Sequence, residues 1–250
     1  MKVSTIKFIL ILLFVFSNPK AQPFGFGCLG LSGFYAGYAR IEYSVPGINE
    51  FVTNSFSAFP STSSLTNKLI EFKQGTGYRI GTNLFRAKFD KIFVSAKGYY
   101  QFLREERETS GNTPAGILQK KFQLTMNHWG AGIDFGVKLF AIVDLKLVEA
   151  NVTFFNTEFV HQEYLSDVLR SEEIYKPDKM KIDYFLGSGF IIHLIPDYIS
   201  AEGTFGFHFM QIENLTTDDG ATIPITSSTK KAVEKIGFSA IIQLNVGFPL

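Results

Sequence analysis

The stretch VEKIGFSAIIQLNVGF, residues 233–248, decides how the rest of the chain is read. Ile236, Phe238, Ala240, Ile242, Leu244, Val246 and Phe248 fall on one side of a period-two pattern. Lys235, Gly237, Ser239, Gln243 and Asn245 fall on the other, with Ile241 the apolar exception. Period two marks a β-strand whose faces meet different surroundings. One face here is broad and oily, the other small and polar.

Working outward, the same alternation recurs in Ser32 to Val45, Gln74 to Phe89, Ile92 to Glu105, Lys121 to Leu139, Leu145 to His161, Lys179 to Leu194 and Tyr198 to Ile212. With the final stretch these make about eight strands. Asp90-Lys91, the segment around Ala141 to Asp144, and Pro196-Asp197 read as tight turns. Pro46 to Lys73, Glu106 to Lys120, Gln162 to Asp178 and Asn214 to Ala232 read as long polar loops. Short connections on one rim and long ones on the other, with an even strand count, put both termini at the short-turn end.

Apolar residues make up 46% of the chain, yet the only long continuous apolar run is at the N-terminus. There Lys2 and Lys7 precede Phe8 to Phe16, and a small polar exit ends at Ala21. That core is too short for a bilayer-spanning helix, which needs about 20 residues. It has the form of a secretory signal, so residues 1–21 are read as signal peptide, 22–30 as a short N-terminal segment and 31–250 as one barrel domain. Cys28 is the single cysteine, which excludes an intramolecular disulfide and a thiolate metal cluster. Removing Lys2, Lys7 and Lys20 takes the formal charge from +1 to about −2, a balance that argues against nucleic acid as partner.

An exported chain this rich in Phe must cover its apolar faces. A water-soluble barrel would turn them inward, but about eight strands leave room only for side chains or one small ligand. Lipid outside and a polar lumen inside suits the wide aromatic faces better, and in hydrocarbon the sheet must close to pair every backbone group. Tyr35, Phe89, Phe135, Tyr198 and Phe248 would form one interfacial girdle, and Tyr43, Tyr78, Tyr100, Tyr184 and Phe209 the other. The fold class expected is therefore all-β, a closed antiparallel up-and-down transmembrane β-barrel.

On these residues the chain resembles the small eight-stranded outer-membrane barrels typified by the OmpA transmembrane domain and OmpX, and is similar in style to outer-membrane barrel proteins of the Bacteroidetes. The resemblance spans residues of about 30 to 250 and rests on topology. It implies a bacterial outer-membrane location with both termini periplasmic. It also implies that the aromatic end of the last strand, Phe248, followed here by Pro249-Leu250, is the sorting signal for the barrel-assembly machinery.

Ionisable residues on the polar faces are expected to gather in the lumen: Arg40, Glu42, Arg79, Lys97, Asp134, Lys138, Glu149, Asp183, Glu202 and Lys235. They read either as a plug of paired charges or as a narrow gated ion path. Arg104, Arg107, Lys120, Lys121, Lys179, Lys230 and Lys231 fall at the outer strand ends, where they would hold lipopolysaccharide phosphates or simply solubilise the rim. The histidines are His128, His161, His193 and His208. His161 with Ser166 and Asp167, and Asp218-Asp219, are the nearest approaches to a hydrolytic set, and neither receives a catalytic assignment. No phosphate loop or metal-ligand motif is visible, so no cofactor is expected. The leading reading is a non-enzymatic barrel with a structural or ligand- and adhesion-type role through its loops. A lipid A- or peptide-modifying enzyme and a small-solute pore are the alternatives.

Overall fold

Each strand runs antiparallel to its neighbours, and the sheet closes because the strand Gly116–Lys138 hydrogen-bonds to Val143–Leu165 as well as to Ile92–Thr113. The computed structural model describes residues 32–56, 59, 70–196, 198–226 and 231–247. The signal segment, Cys28, Lys230 and Phe248 lie outside the described residues. The elements are β1 (Gly33–Ser44), α1 (Pro46–Ser55), β2 (Gln74–Phe89), β3 (Ile92–Thr113), β4 (Gly116–Lys138), β5 (Val143–Leu165), β6 (Val168–Tyr175), β7 (Lys181–Ile195), β8 (Ile199–His208) and β9 (Lys235–Gly247).

Around the barrel the order is β4-β3-β2-β1-β9-β8-β7-β5. The seam joins β1 to β9, with Gly33 opposite Gly247, so the barrel begins and ends at one rim. That rim also carries the short turns at Asp90 and 139–142, and there Tyr198 N donates to the Ile195 carbonyl at 3.1 Å between β7 and β8. The ninth strand, β6, is a ledge: β5 pairs with β7 through Val143–Phe155 and with β6 through Phe159–Leu165.

The final strand is oriented as its pattern predicts. Phe238, Ile242, Leu244 and Val246 are exposed, while Ser239, Ile241, Gln243 and Asn245 are buried. On β4 the exposed face runs from Trp129 through Ile133 and Phe135, and on β8 through Phe205 and Phe207. This outward apolar band extends from Trp129 to Val137 on β4, close to the 9–11 residues a tilted strand needs to cross a bilayer. The chain is a transmembrane barrel.

Two predicted loops prove to be strand. β3, β4 and β5 run for 22, 23 and 23 residues, so Glu106–Lys120 is the continuation of a single hairpin and Gln162–Asp178 contains β6. The sequence looked loop-like because, beyond the lipid, outward residues such as Arg104, Glu106 and Glu108 are hydrophilic. The predicted loop Pro46–Lys73 holds α1, whose Pro46 supplies a preset φ at the first turn. Tyr35 and Tyr43, expected in the interfacial girdles, instead point inward and are buried.

Candidate functional site

The lumen is filled in two zones. Nearer the short-turn rim, Lys97 Nζ lies 3.1 Å from Asp134 Oδ2, 3.0 Å from Glu149 Oε2 and 3.5 Å from Glu202 Oε1. Lys146 Nζ pairs with Glu149 and Glu202 and donates to Thr204 Oγ1 at 2.7 Å. Arg79 Nη1 is 3.7 Å from Glu149 Oε1, its Nε donates to Gln101 Oε1 at 2.8 Å, and its guanidinium stacks 4.0 Å over the Tyr99 ring. Three cations thus meet three carboxylates and cancel in formal charge. Ser95 donates to Asp134 Oδ2, Asn151 to Glu149 Oε1 and Asn245 to Glu202 Oε2, adding neutral donors to the ion-paired carboxylates.

Such a cluster survives burial because its charges are paired, although Asp134 Oδ1 and Arg79 Nη2 find no hydrogen-bond partner. The carboxylates of Asp134, Glu149 and Glu202 stand close enough to ligate a metal ion, but the ammonium groups of Lys97 and Lys146 already sit among them. Among the described residues these paired groups occupy the lumen at this level.

Of the predicted lumen residues, the structure brings together Arg79, Lys97, Asp134, Glu149 and Glu202. Asp183 is in the lumen but pairs with His208 rather than with Lys97, Lys146 or Arg79. Arg40 and Glu42 are not there: both are half-exposed on the outer side of β1 and pair with each other at 3.2 Å. Their pattern position misled because β1 changes apolar face after Tyr38, where Ala39 and Ile41 become the inward residues. Lys138 and Lys235 are exposed at strand ends, where solvent is cheaper for a lone charge than the lumen. The residue that sequence reasoning missed is Lys146. A bulge between Lys146 and Glu149 puts two side chains three apart on the same face, which strict alternation forbids.

The second zone is apolar. Phe122, Leu124 and Met126 of β4, Phe155 and Phe159 of β5 and Leu103 of β3 point inward above the charge cluster. Ile48, Phe51 and Val52 of α1 close over them, joined by Ile212, Leu215 and Ile223 from the segment between β8 and β9. The expectation of a hydrophilic hollow therefore holds only for the lower zone. Around this cap Phe51 meets Phe159 and Tyr175 edge to face. His161 stacks on Phe122 with ring centroids 4.9 Å apart, and its Nδ1 lies 3.4 Å from Glu173. Burial holds the His161 pKa below the ordinary histidine value. Burial also pushes the Tyr43 phenol up, reinforced by Glu105, which accepts its hydrogen bond.

The predicted rim cations divide. Arg104 is exposed beside Glu106, and Lys179 is exposed. Arg107 turns to Glu105 and to the Glu71 carbonyl. Lys120 is no surface group: it is buried, 2.5 Å from Glu163 and 3.1 Å from the Ser55 carbonyl that ends α1. Lys121 lies over the Tyr164 ring, and Lys231 donates to Gln211 Oε1 at 2.7 Å. His161 faces inward, whereas Ser166 and Asp167 form the positive-φ turn at the β5–β6 tip, so no triad assembles there. Asp219 accepts from Thr217 within its own turn, which lowers its pKa.

No protein-family model and no curated protein matches the chain. Among the solved structures similar to it in shape are a surface protein, an attachment invasion protein and an outer membrane protease. Neisserial surface protein A shares 10% identity at a TM-score of 0.47, covering 88% of this chain and 97% of that one. Ail, the attachment invasion locus protein of Yersinia pestis, solved with the heparin analogue sucrose octasulfate, shares 9% at 0.39, covering 87% and 97%. The outer membrane protease OmpT of Escherichia coli shares 9% at 0.40, covering 87% and 94%. At these levels the likeness carries no functional argument.

Proposed function

We propose that the chain is a non-conducting bacterial outer-membrane barrel that acts through the capped wall it raises outside the cell, as a structural or ligand-holding surface. The single observation that carries this reading is the filling of the lumen at two levels, by the Lys97–Lys146 charge cluster and by the apolar zone under α1. A solute path would have to dismantle both. With the short-turn rim and both termini periplasmic, the long β3–β4 and β5–β6 hairpins stand outside as a continuous wall. Ser166 N donates to the Ile117 carbonyl at 2.8 Å, so the two hairpin tips are tied together. Rigid scaffolds carrying exposed segments are where recognition concentrates.

Lipopolysaccharide is the partner this reading gives the outer leaflet. Arg40 and Arg104 face outward in register, through Thr76, one pleat above the aromatic row Tyr38–Tyr78–Phe102. That is the height of lipid phosphates, which guanidinium groups hold as forks. The barrel-assembly machinery would read the chain end at Phe248. No chemistry in the lumen is required of the protein. Planar-bilayer recording tests the reading: purified barrel gives no sustained open current. Steady ohmic steps from the wild-type chain would reject it in favour of a pore. Turnover of lipid A or of a peptide by the same preparation would reject it in favour of an enzyme.

A further inference from the structure

Between the charge cluster and the apolar zone two histidines meet across the barrel. His128 comes from β4 and His208 from β8, with ring centroids 6.0 Å apart and both side chains fully buried. The Nε2 atoms of both have no hydrogen-bond partner. Buried imidazole nitrogens are almost always satisfied, so two orphans on neighbouring rings need a reason.

Their neighbours supply one. Met126 is the next inward residue above His128, and Met210 follows two residues after His208; both are buried. Of the chain's four methionines, one buried methionine thus lies two residues from each of the two histidines. His208 Nδ1 is held by Asp183 Oδ2, while Asp183 Oδ1 accepts from the Phe209 N–H at 2.9 Å. A carboxylate on Nδ1 fixes the tautomer and leaves the Nε2 lone pair free, the arrangement found behind metal-bound histidines. Gln101 Nε2 stands 3.5 Å from His128 Nδ1, the outer limit of a hydrogen bond, and so does not lock that ring to one tautomer.

We propose that His128, His208, Met126 and Met210 form a buried site for a soft monovalent metal ion, Cu(I) in chemistry and Ag(I) by analogy. Thioether sulfur selects soft ions and imidazole accepts them. A single positive charge opposite Asp183 adds little uncompensated charge to the lumen, whereas a divalent ion would add a second.

The test uses the mature full chain in detergent with Cys28→Ser, which removes the only competing thiol. That protein should retain one Ag(I) per chain through gel filtration. Met126→Leu/Met210→Leu, which keeps the packing volume, should bind at least tenfold more weakly, and His128→Gln/His208→Gln should retain none. Heat-modifiable gel mobility reports that each variant is folded. X-ray absorption on the Cu(I)-loaded Cys28→Ser chain needs no packing change and should show a mixed nitrogen and sulfur shell. Substoichiometric retention, retention undiminished in the double glutamine variant, or a shell without sulfur would overturn the assignment.

Discussion

Lys146 and Glu149 are three residues apart on β5, yet both point into the barrel and pair with each other. The bulge between them sets the composition of the lumen. Without it Glu149 would lose both lysines or Lys146 would be pressed into lipid.

Lys146→Met keeps the volume and removes one cation from between Glu149 and Glu202. Breaking a buried pair from one side leaves an uncompensated charge and costs about 3–5 kcal/mol. Urea unfolding of the barrel reconstituted in lipid should report a loss of that size. A change below about 1 kcal/mol would mean that the cluster is hydrated and not a plug.

On the outer face, Ile242 is 73% exposed near the middle of β9. Ile242→Lys should cost about 2–4 kcal/mol in liposomes, as expected of a cation at the bilayer midplane. The same change in a water-soluble barrel would be neutral, so folding yield in lipid checks the location of the band directly.

Gly130 lies beneath the Tyr99 ring, and a Cβ built there would stand 2.3 Å from the ring. Gly130→Ala should displace Tyr99 from Arg79 and Thr153 at a cost of about 1–3 kcal/mol, the usual range for overpacking. Equilibrium unfolding measures it, and an unchanged midpoint would show that the ring relocates freely.

The cap should loosen in acid. Burial lowers the His161 pKa despite Glu163 and Glu173, so the folded cap binds fewer protons than the unfolded one. Its stability is therefore full above the ordinary value of about 6.5 and declines as pH falls from there toward the depressed folded value. Protection factors in α1, corrected for the base-catalysed intrinsic exchange rate, should fall between pH 7.5 and pH 5, conditions chosen to bracket about 6.5. His161→Gln should flatten that dependence, and an identical acid response in the variant would assign it to another group.

How far the molecule can be read from its residues differs by zone. Within the band, alternation alone identified the lipid face, since Phe238, Ile242 and Phe205 are exposed where period two puts them. The upper zone was legible in principle through a phase inversion. Apolar residues leave the outer face and take the inner one at Tyr38-Ala39, at Phe102-Leu103 and at Phe154-Phe155, with no bulge needed. The inversion marks where the barrel leaves hydrocarbon and begins to build a water-facing protein with its own core. Reading each strand with one fixed polar face placed Arg40 and Glu42 inside and took the upper hairpins for loops.

The chain's own order of residues settled that the strands alternate, how many cross, and which side chains meet lipid, because each depends on nearest neighbours along a pleated backbone. Closure decided the rest. Whether Lys97 finds Glu149, whether Lys146 turns inward at its bulge, and whether His128 faces His208 are matters between strands far apart in sequence. They meet only because a sheet that must satisfy every backbone hydrogen bond in hydrocarbon has to wrap around on itself.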